Sequence, residues 1–583
     1  MTDGGRTSGS TTDIVIELGG AASALVDDAA LAHSTIGAAS AAVARLLSQL
    51  GLPAGAGVSL EAGPGPALLQ VRVNGVRQGC ELAQLERIAR TLMAARGEQT
   101  WPEPLFADGW ASDPRRNSAL AEALGRASAT LLGLVPQLVV TTALVSDVAG
   151  GSSVDLPYLS IVVRGLLGVG LPIVPRDLIL RQVAAAHRAG VSAEDVTEFL
   201  ISLVRPETID VEIDPAYGLE TTGLSMFDDT FGDAAALRSD VRDALASIAD
   251  ATYANIGVRV PPIRFTGVAD GPPGGFRIRF GIAGQDWIGV PPERVLVDAT
   301  AEALSAAGVA GSPAVSHITG MPCSTAAAAD GARVAAAGFT VFAPIAYLGF
   351  VLSSEIAQHA ACLVDIDGVE RELATLRNTF PALVSAALER RDSRGITRVL
   401  RGLAAQQVSI RDLRTILEAI VAHDVVFVPD ADARATFGDR LVLDDSMRTA
   451  RRGPNQVEAS VRKQLRRYLS VKNAAPDNTI RVYLLDMATV STPIMAALAA
   501  RRDPPIDELR RALLSAVDTL SPTEPRPAIL ASPSIAPWLR ERLATEFPRN
   551  PVLSYEEIVS GMNLDVVQRV RVAPAETSLE KSQ

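Results

Sequence analysis

The segment VLRGLAAQQVSIRDLRTI, Val399 to Ile416, has an earlier counterpart in VVRGLLGVGLPIVPRDLI, Val162 to Ile179, which carries two extra residues before Arg176. Each opens with apolar residues at helical spacing and passes through a break to an Arg-Asp pair where a second helix can start. After Asp412 the apolar face runs Leu413, Ile416, Leu417 and Ile420, whereas after Asp177 it shifts to Ile179, Val183 and Ala186. Ser409, three positions before Asp412, reads as a capping-box-like start.

Outward from this pair, further blocks recur in the same order. DIVIELGGAASALVDD (Asp13 to Asp28) and IDVEIDPAYGLETTGLS (Ile209 to Ser225) each place a β-like run before small residues. Val43, Leu46, Leu47 and Leu50 mark the helix that follows the first run, and Val241, Leu245 and Ile248 the helix that follows the second. LLQVRVNGVRQGCEL (Leu68 to Leu82) then parallels FRIRFGIAGQDWIGV (Phe276 to Val290), with the alternation of a strand, a turn and a second strand. Matched blocks in one order are the mark of an internal duplication with a degenerate first copy. The fold class is therefore α/β and α+β multidomain, with small mixed-sheet domains plus a helical domain, internally duplicated. The boundaries we expect are a disordered tail at 1–12, a degenerate α/β domain at 13–100 and a degenerate helical domain at 101–205. A full copy follows, with its first α/β domain at 206–298, an inserted α/β unit and return helix at 299–388, and a helical domain at 389–476. A terminal α/β domain at 477–573 and a tail at 574–583 complete it.

At 583 residues the chain is too long for one core. Hydrophobic residues at 48% and charged residues at 21% are the ordinary globular mixture, which argues against wholesale disorder. A net charge of −12 with only 4% aromatics argues against a nucleic-acid partner, which needs basic patches and stacking platforms. Cys80, Cys323 and Cys362 are dispersed and odd in number, which fits a reducing, cytoplasmic setting better than a disulfide framework. The start, MTDGGRTSGSTTD, has neither the basic nor the apolar region of a secretion signal. The best membrane candidate is Ala127 to Ser146, but Pro136, Gln137 and three threonines make it a poor spanning helix and a better buried hairpin.

From Ile209 to Arg569 the chain resembles the FHIPEP family of flagellar and type III secretion export-gate proteins, over their cytoplasmic part. The resemblance is carried by YGL (Tyr217 to Leu219), VPPIR (Val260 to Arg264), GFTV (Gly338 to Val341), IRDLRTILEA (Ile410 to Ala419) and SYEEI (Ser554 to Ile558). ILASPSIAPWLRERLATEFPRNPVLSYEEI reads as strand, capped helix and strand, with Leu539 and Leu543 inward beside Trp538, similar to the family's closing domain. The chain departs from the family at MPCS (Met321 to Ser324) and around Leu352, Ser353 and Ser354. Where the family has a membrane region, this chain has its degenerate copy.

The resemblance implies a ring-forming module that receives chaperone-bound cargo at a surface between its first two subdomains. The nearest positions are Arg264, Phe265 and Asp270, around the loop after VPPI, as protein-binding residues. Arg411 and Arg414 are the corresponding choice for an oligomer interface or a structural role. No catalytic or metal residues are expected: His33, His187, His317, His359 and His423 stand singly, and no phosphate-cradling loop, nucleophile elbow or HExxH is present. No cofactor is expected. In QVEASVRKQLRRYLSVK (Gln456 to Lys472), Val457, Val461, Leu465 and Tyr468 or Leu469 form an apolar stripe. Arg462, Lys463, Arg466 and Arg467 then project onto a solvated face, which could also meet an acidic protein. The expected function is a non-enzymatic, soluble, cytoplasmic protein-interaction module that oligomerises through residues beyond about 390, without nucleic acid or membrane insertion. The alternatives are a scaffold or regulator unrelated to export, or an enzyme with an unrecognised interdomain site.

Overall fold

The computed structural model describes residues 12–18, 24–27, 29–53, 56–62, 69–73, 76–80, 121–122, 124–125, 128–129, 132, 136–150, 154–215, 238–268, 273–280, 283–284, 287–291, 293–317, 322–423, 454–500, 504, 506–518, 527–543, 547 and 550–572. The chain forms two compact units, Met1–Asp367 and Gly368–Gln583.

The first unit opens with a sheet of order β2-β1-β3-β4, in which β1 is Thr12–Leu18, β2 Ala56–Ala62, β3 Leu69–Val73 and β4 Val76–Cys80. Helix α1 (Ala29–Gln49) connects the parallel strands β1 and β2. By length and composition it is the one helix among the described residues that could cross a membrane. Its buried residues, Leu31, Thr35, Ala39, Ala42, Val43 and Leu47, repeat at three- and four-residue steps, which is the stripe of a helix lying on a sheet. Within Ala127 to Ser146, the stretch read as a poor spanning helix, the described residues are not one continuous helix. Pro136–Val139 is a 3-10 turn, and a new helix, α2 (Thr142–Ala149), starts with Thr141 accepting from the Leu144 amide. Helices α3 (Leu156–Gly168), α4 (Arg176–Arg188) and α5 (Ala193–Val204) complete a bundle.

A second sheet follows in the order β6-β5-β7-β8, with β9 also on β7. Its strands are β5 Ile209–Ile213, β6 Ile263–Gly267, β7 Gly275–Phe280, β8 Ala283–Gly284 and β9 Ile288–Gly289, and α6 (Ser239–Ile256) lies between β5 and β6. The two sheets have the same strand order and the same strand senses. Their register also agrees. Ile16 faces Leu60 and Val71 as Val211 faces Phe265 and Ile278. One residue along, the Glu17 carboxylate accepts from Arg72 Nε at 2.8 Å, and on equivalent strands the Glu212 carboxylate is ion-paired with Arg279, Nε at 2.9 Å, while accepting from Arg277 Nε. An antiparallel sheet of order β11-β12-β10-β13 is inserted next, with β10 Arg294–Val297, β11 Gly311–Val315, β12 Pro322–Ala327 and β13 Val341–Phe342 around Val297, Leu304 and Val334. The return helix α7 spans Pro344–Gln358.

In the second unit α8 (Pro381–Arg390), α9 (Ser393–Ala405), α10 (Leu413–His423) and α11 (Pro454–Gln464) form another bundle, and α12 (Arg466–Lys472) leads out of it. Helix α9 matches α3 position for position. Both have 13 residues, both are capped by an aspartate, Asp392 or Asp155, and Ile396, Val399, Leu400, Leu403 and Ala404 are buried where Leu159, Val162, Val163, Leu166 and Leu167 are. Each also crosses its neighbour at a glycine. A Cβ on Gly165 would stand 2.5 Å from Thr197 Cγ2, and one on Gly402 would run into the Glu458 carboxylate. The chain closes on a parallel sheet of order β16-β15-β14-β17, comprising β14 Thr479–Leu485, β15 Ala528–Ala531, β16 Val552–Ser554 and β17 Asn563–Val570. Helix α13 (Ala536–Leu543) packs Leu539 and Leu543 into its core with Trp538 alongside.

Candidate functional site

Arg264 and Phe265 lie on β6, within the run Val258 to Phe265 that reads as strand-like, and among the described strands β6 stands at the edge of the second sheet. Strand β6 pairs in parallel with β5, Asp210 facing Arg264 and Val211 facing Phe265. Arg264 Nε donates to Asp210 Oδ1 at 2.8 Å, and this hydrogen bond, with the Asp210 charge, raises its already high pKa. Phe265 is half-buried. Asp270, like Tyr217 to Leu219, lies outside the described residues.

Arg411 is exposed in the turn before α10. Asp412 caps that helix, its carboxylate accepting from the Thr415 amide at 3.1 Å, so the capping-box reading of Ser409 is corrected: the Ser409 hydroxyl accepts only from the Arg411 amide. A carboxylate one residue before the helix reaches the free amides directly, which leaves Ser409 no cap to make. Arg414 pairs with Glu418 one turn on at 2.9 Å and sits 4.7 Å over the Phe380 ring. These contacts fasten α10 to the start of α8.

The basic segment after Gln456 divides in a way its helical pattern did not predict. Lys463, Arg466 and Arg467 are exposed, but Arg462 is 4% exposed and belongs to no solvated face. Its partner is the Glu557 carboxylate of the SYEEI segment, held bidentately with Nε to Oε1 and Nη2 to Oε2 both at 3.0 Å. Arg462 Nη1 also donates to Gln406 Oε1 at 3.1 Å. Arg540 on α13 donates to the same Glu557 oxygen and to the Val552 carbonyl. Glu557 closes a capping box with Ser554, and the Ser470 hydroxyl on α12 bridges the Glu557 carbonyl and the Val559 amide at 3.2 and 2.9 Å. Burial by itself would raise the Glu557 carboxyl. The charge of Arg462, its hydrogen bonds and the charge of Arg540 outweigh that and hold it below the usual range. Burial, then the nearby Arg462 charge, pulls Arg540 down to about 10, so it stays cationic at neutral pH. A planar guanidinium fork matched to a carboxylate fixes direction as well as distance.

In the first unit, two histidines that stand alone in sequence meet on one carboxylate. Glu355 on α7 is 4% exposed and takes His317 Nε2 at 3.1 Å, while His359 Nδ1 lies 3.6 Å from its other oxygen. Phe280 stacks on His359, and Tyr347 accepts from the His317 amide. The spacing of Glu355 and His359, one helical turn, was the available signal; His317 arrives from the inserted sheet. At the departure from the family pattern, Cys323 is buried, with its thiol pushed up to about 12 by burial and then by Asp298, and the Ser324 hydroxyl donates to the Ala299 carbonyl. Leu352 is buried within α7.

None of these groupings brings a nucleophile, base and oxyanion donor together. The FHIPEP family profile matches residues 233–563, from just before α6 through the SYEEI segment and into β17. The chain belongs to the FHIPEP family.

Among curated relatives of this FHIPEP chain, the flagellar biosynthesis protein FlhA of Treponema pallidum is 26% identical over 249 residues, covering 41% of this chain and 32% of FlhA. Low calcium response locus protein D of Yersinia pestis is 22% identical over 231 residues, 38% of this chain and 29% of that protein. The aligned part thus spans about a third of the length of these relatives. Among solved structures, the CdsV protein of Chlamydia pneumoniae aligns with 62% of this chain and 98% of its own at a TM-score of 0.51 and 22% identity. CdsV in complex with CdsO aligns equally well, at a TM-score of 0.51 and 21% identity. The multidomain α/β fold is therefore that of CdsV.

Proposed function

We propose that this chain is a non-enzymatic docking and assembly module of an FHIPEP-type export apparatus, working in the cytoplasm as a homo-oligomer with protein partners. The observation that carries the reading is the family match, which runs from just before α6 across β6 to β9 of the second sheet, the inserted sheet, the second bundle and most of the terminal sheet. CdsV, which shares this fold, is known in complex with a second protein, CdsO, and that supports protein partners here. Strand β6, with Arg264 and Phe265, stands at the sheet's edge among the described residues and is the surface we assign to incoming cargo or chaperone. An edge strand offers unpaired backbone groups in a fixed row.

We read the N-terminal part as a shortened copy of the same core. The shared strand order and register, the equivalent Glu17–Arg72 and Glu212–Arg279 pairs, and the paired glycine crossings at Gly165 and Gly402 support a duplication. The first copy passes from α5 directly into β5, with no terminal parallel sheet between them, so assembly is assigned to the second. Hydrogen exchange at high and low protein concentration tests this. Protection gained on association is expected from Ser393 onward; protection gained only in residues 12–204 would overturn the assignment.

A further inference from the structure

The two bundles differ at one buried position. Thr197 and Glu458 occupy the same crossing, opposite Gly165 and Gly402, so one turn further along Ile201 corresponds to Arg462. Both are buried, at 1% and 4% exposure. An isoleucine is therefore enough to complete the helix packing there, and the guanidinium is not required by the bundle. Its partners explain it. Glu557 comes from the turn after β16, and a second guanidinium, Arg540, reaches the same carboxylate from α13. Ser470 on α12 then bonds the backbone on both sides of that turn.

We propose that Arg462, Glu557 and Arg540 form a latch that fixes the terminal α/β domain on the second helical bundle, so that the two move as one body, and that this fixed pose is what makes the second copy assemble. The second half of the proposal rests on the assembly reading above. A buried ion pair contributes little net stability compared with apolar packing, so its value is geometric. An apolar contact tolerates sliding, whereas a bidentate fork shared by two guanidinia permits one orientation. The first bundle has isoleucine at this place and no terminal domain to hold.

The test replaces Arg462 with the residue the first bundle already carries. Arg462→Ile leaves Glu557 paired with Arg540, and Glu557→Gln provides a second variant with unchanged shape. In the full chain, hydrogen exchange in 466–472 and 552–559 is expected to speed up by at least about tenfold, while α9 and β14 keep their protection. Self-association measured by light scattering is expected to weaken in parallel. Unchanged exchange at the joint would overturn the latch. So would equal acceleration throughout 368–583, because the cluster would then be holding the fold and not the joint. A loosened joint with unchanged association would reject the link to assembly and leave the assembly reading itself standing.

Discussion

Glu557 is buried between two guanidinia, and its ionised form is what they hold. Its folded pKa lies below the ordinary value, so its contribution is fully present above the unfolded pKa and is lost as pH falls through the folded one. Unfolding of the 368–583 unit should therefore lose stability on acidification below about pH 4.3 more steeply in the natural chain than in Glu557→Gln. Denaturation midpoints of both across pH 7 to 3 check this, and parallel curves would contradict it. The glycine crossings give a second expectation at this scale. Gly165→Ala drives a methyl against the buried, β-branched Thr197 and should cost about 1–3 kcal/mol, read from the unfolding of the first unit. Cys323, buried and with its thiol pushed up to about 12, should resist alkylation at pH 8 until the chain is unfolded. Rapid labelling of the native protein would show that the inserted sheet opens there.

At the scale of elements, much was legible because short-range physics sets it. The alternation in Ile209–Ile213 and Gly275–Phe280 gave strands, and the stripe Ile416, Leu417, Ile420 gave α10 with its buried face. The aspartates at 155 and 392 begin helices because their carboxylates satisfy free amides, to Tyr158 and Gly395. Asp155→Ala and Asp392→Ala should each cost about 1 kcal/mol, and thermal or denaturant midpoints of the two units would register them separately. What the sequence did not disclose depends on partners far along the chain. Arg462 sits among exposed lysine and arginines on an amphipathic helix, so a helical wheel sends it to water, and only Glu557, from the terminal domain, explains why it is buried. His317 and Glu355 meet through the turn of an inserted sheet.

For the whole molecule, the FHIPEP match covers residues 233–563, within the stretch Ile209 to Arg569 whose motifs carried the resemblance. Pattern reading reaches this level because each block is a supersecondary unit with its own periodicity. Position-by-position equivalence, such as Gly165 with Gly402, needs the helices to be seen crossing. Assembly is the claim on which the functional account turns, and the molar mass of the full chain in solution tests it most directly. Multi-angle light scattering over a wide concentration range at low salt should give a mass of several chains that rises with concentration and falls in Arg462→Ile. The mass of a single chain at every concentration, for the natural protein, would contradict the account.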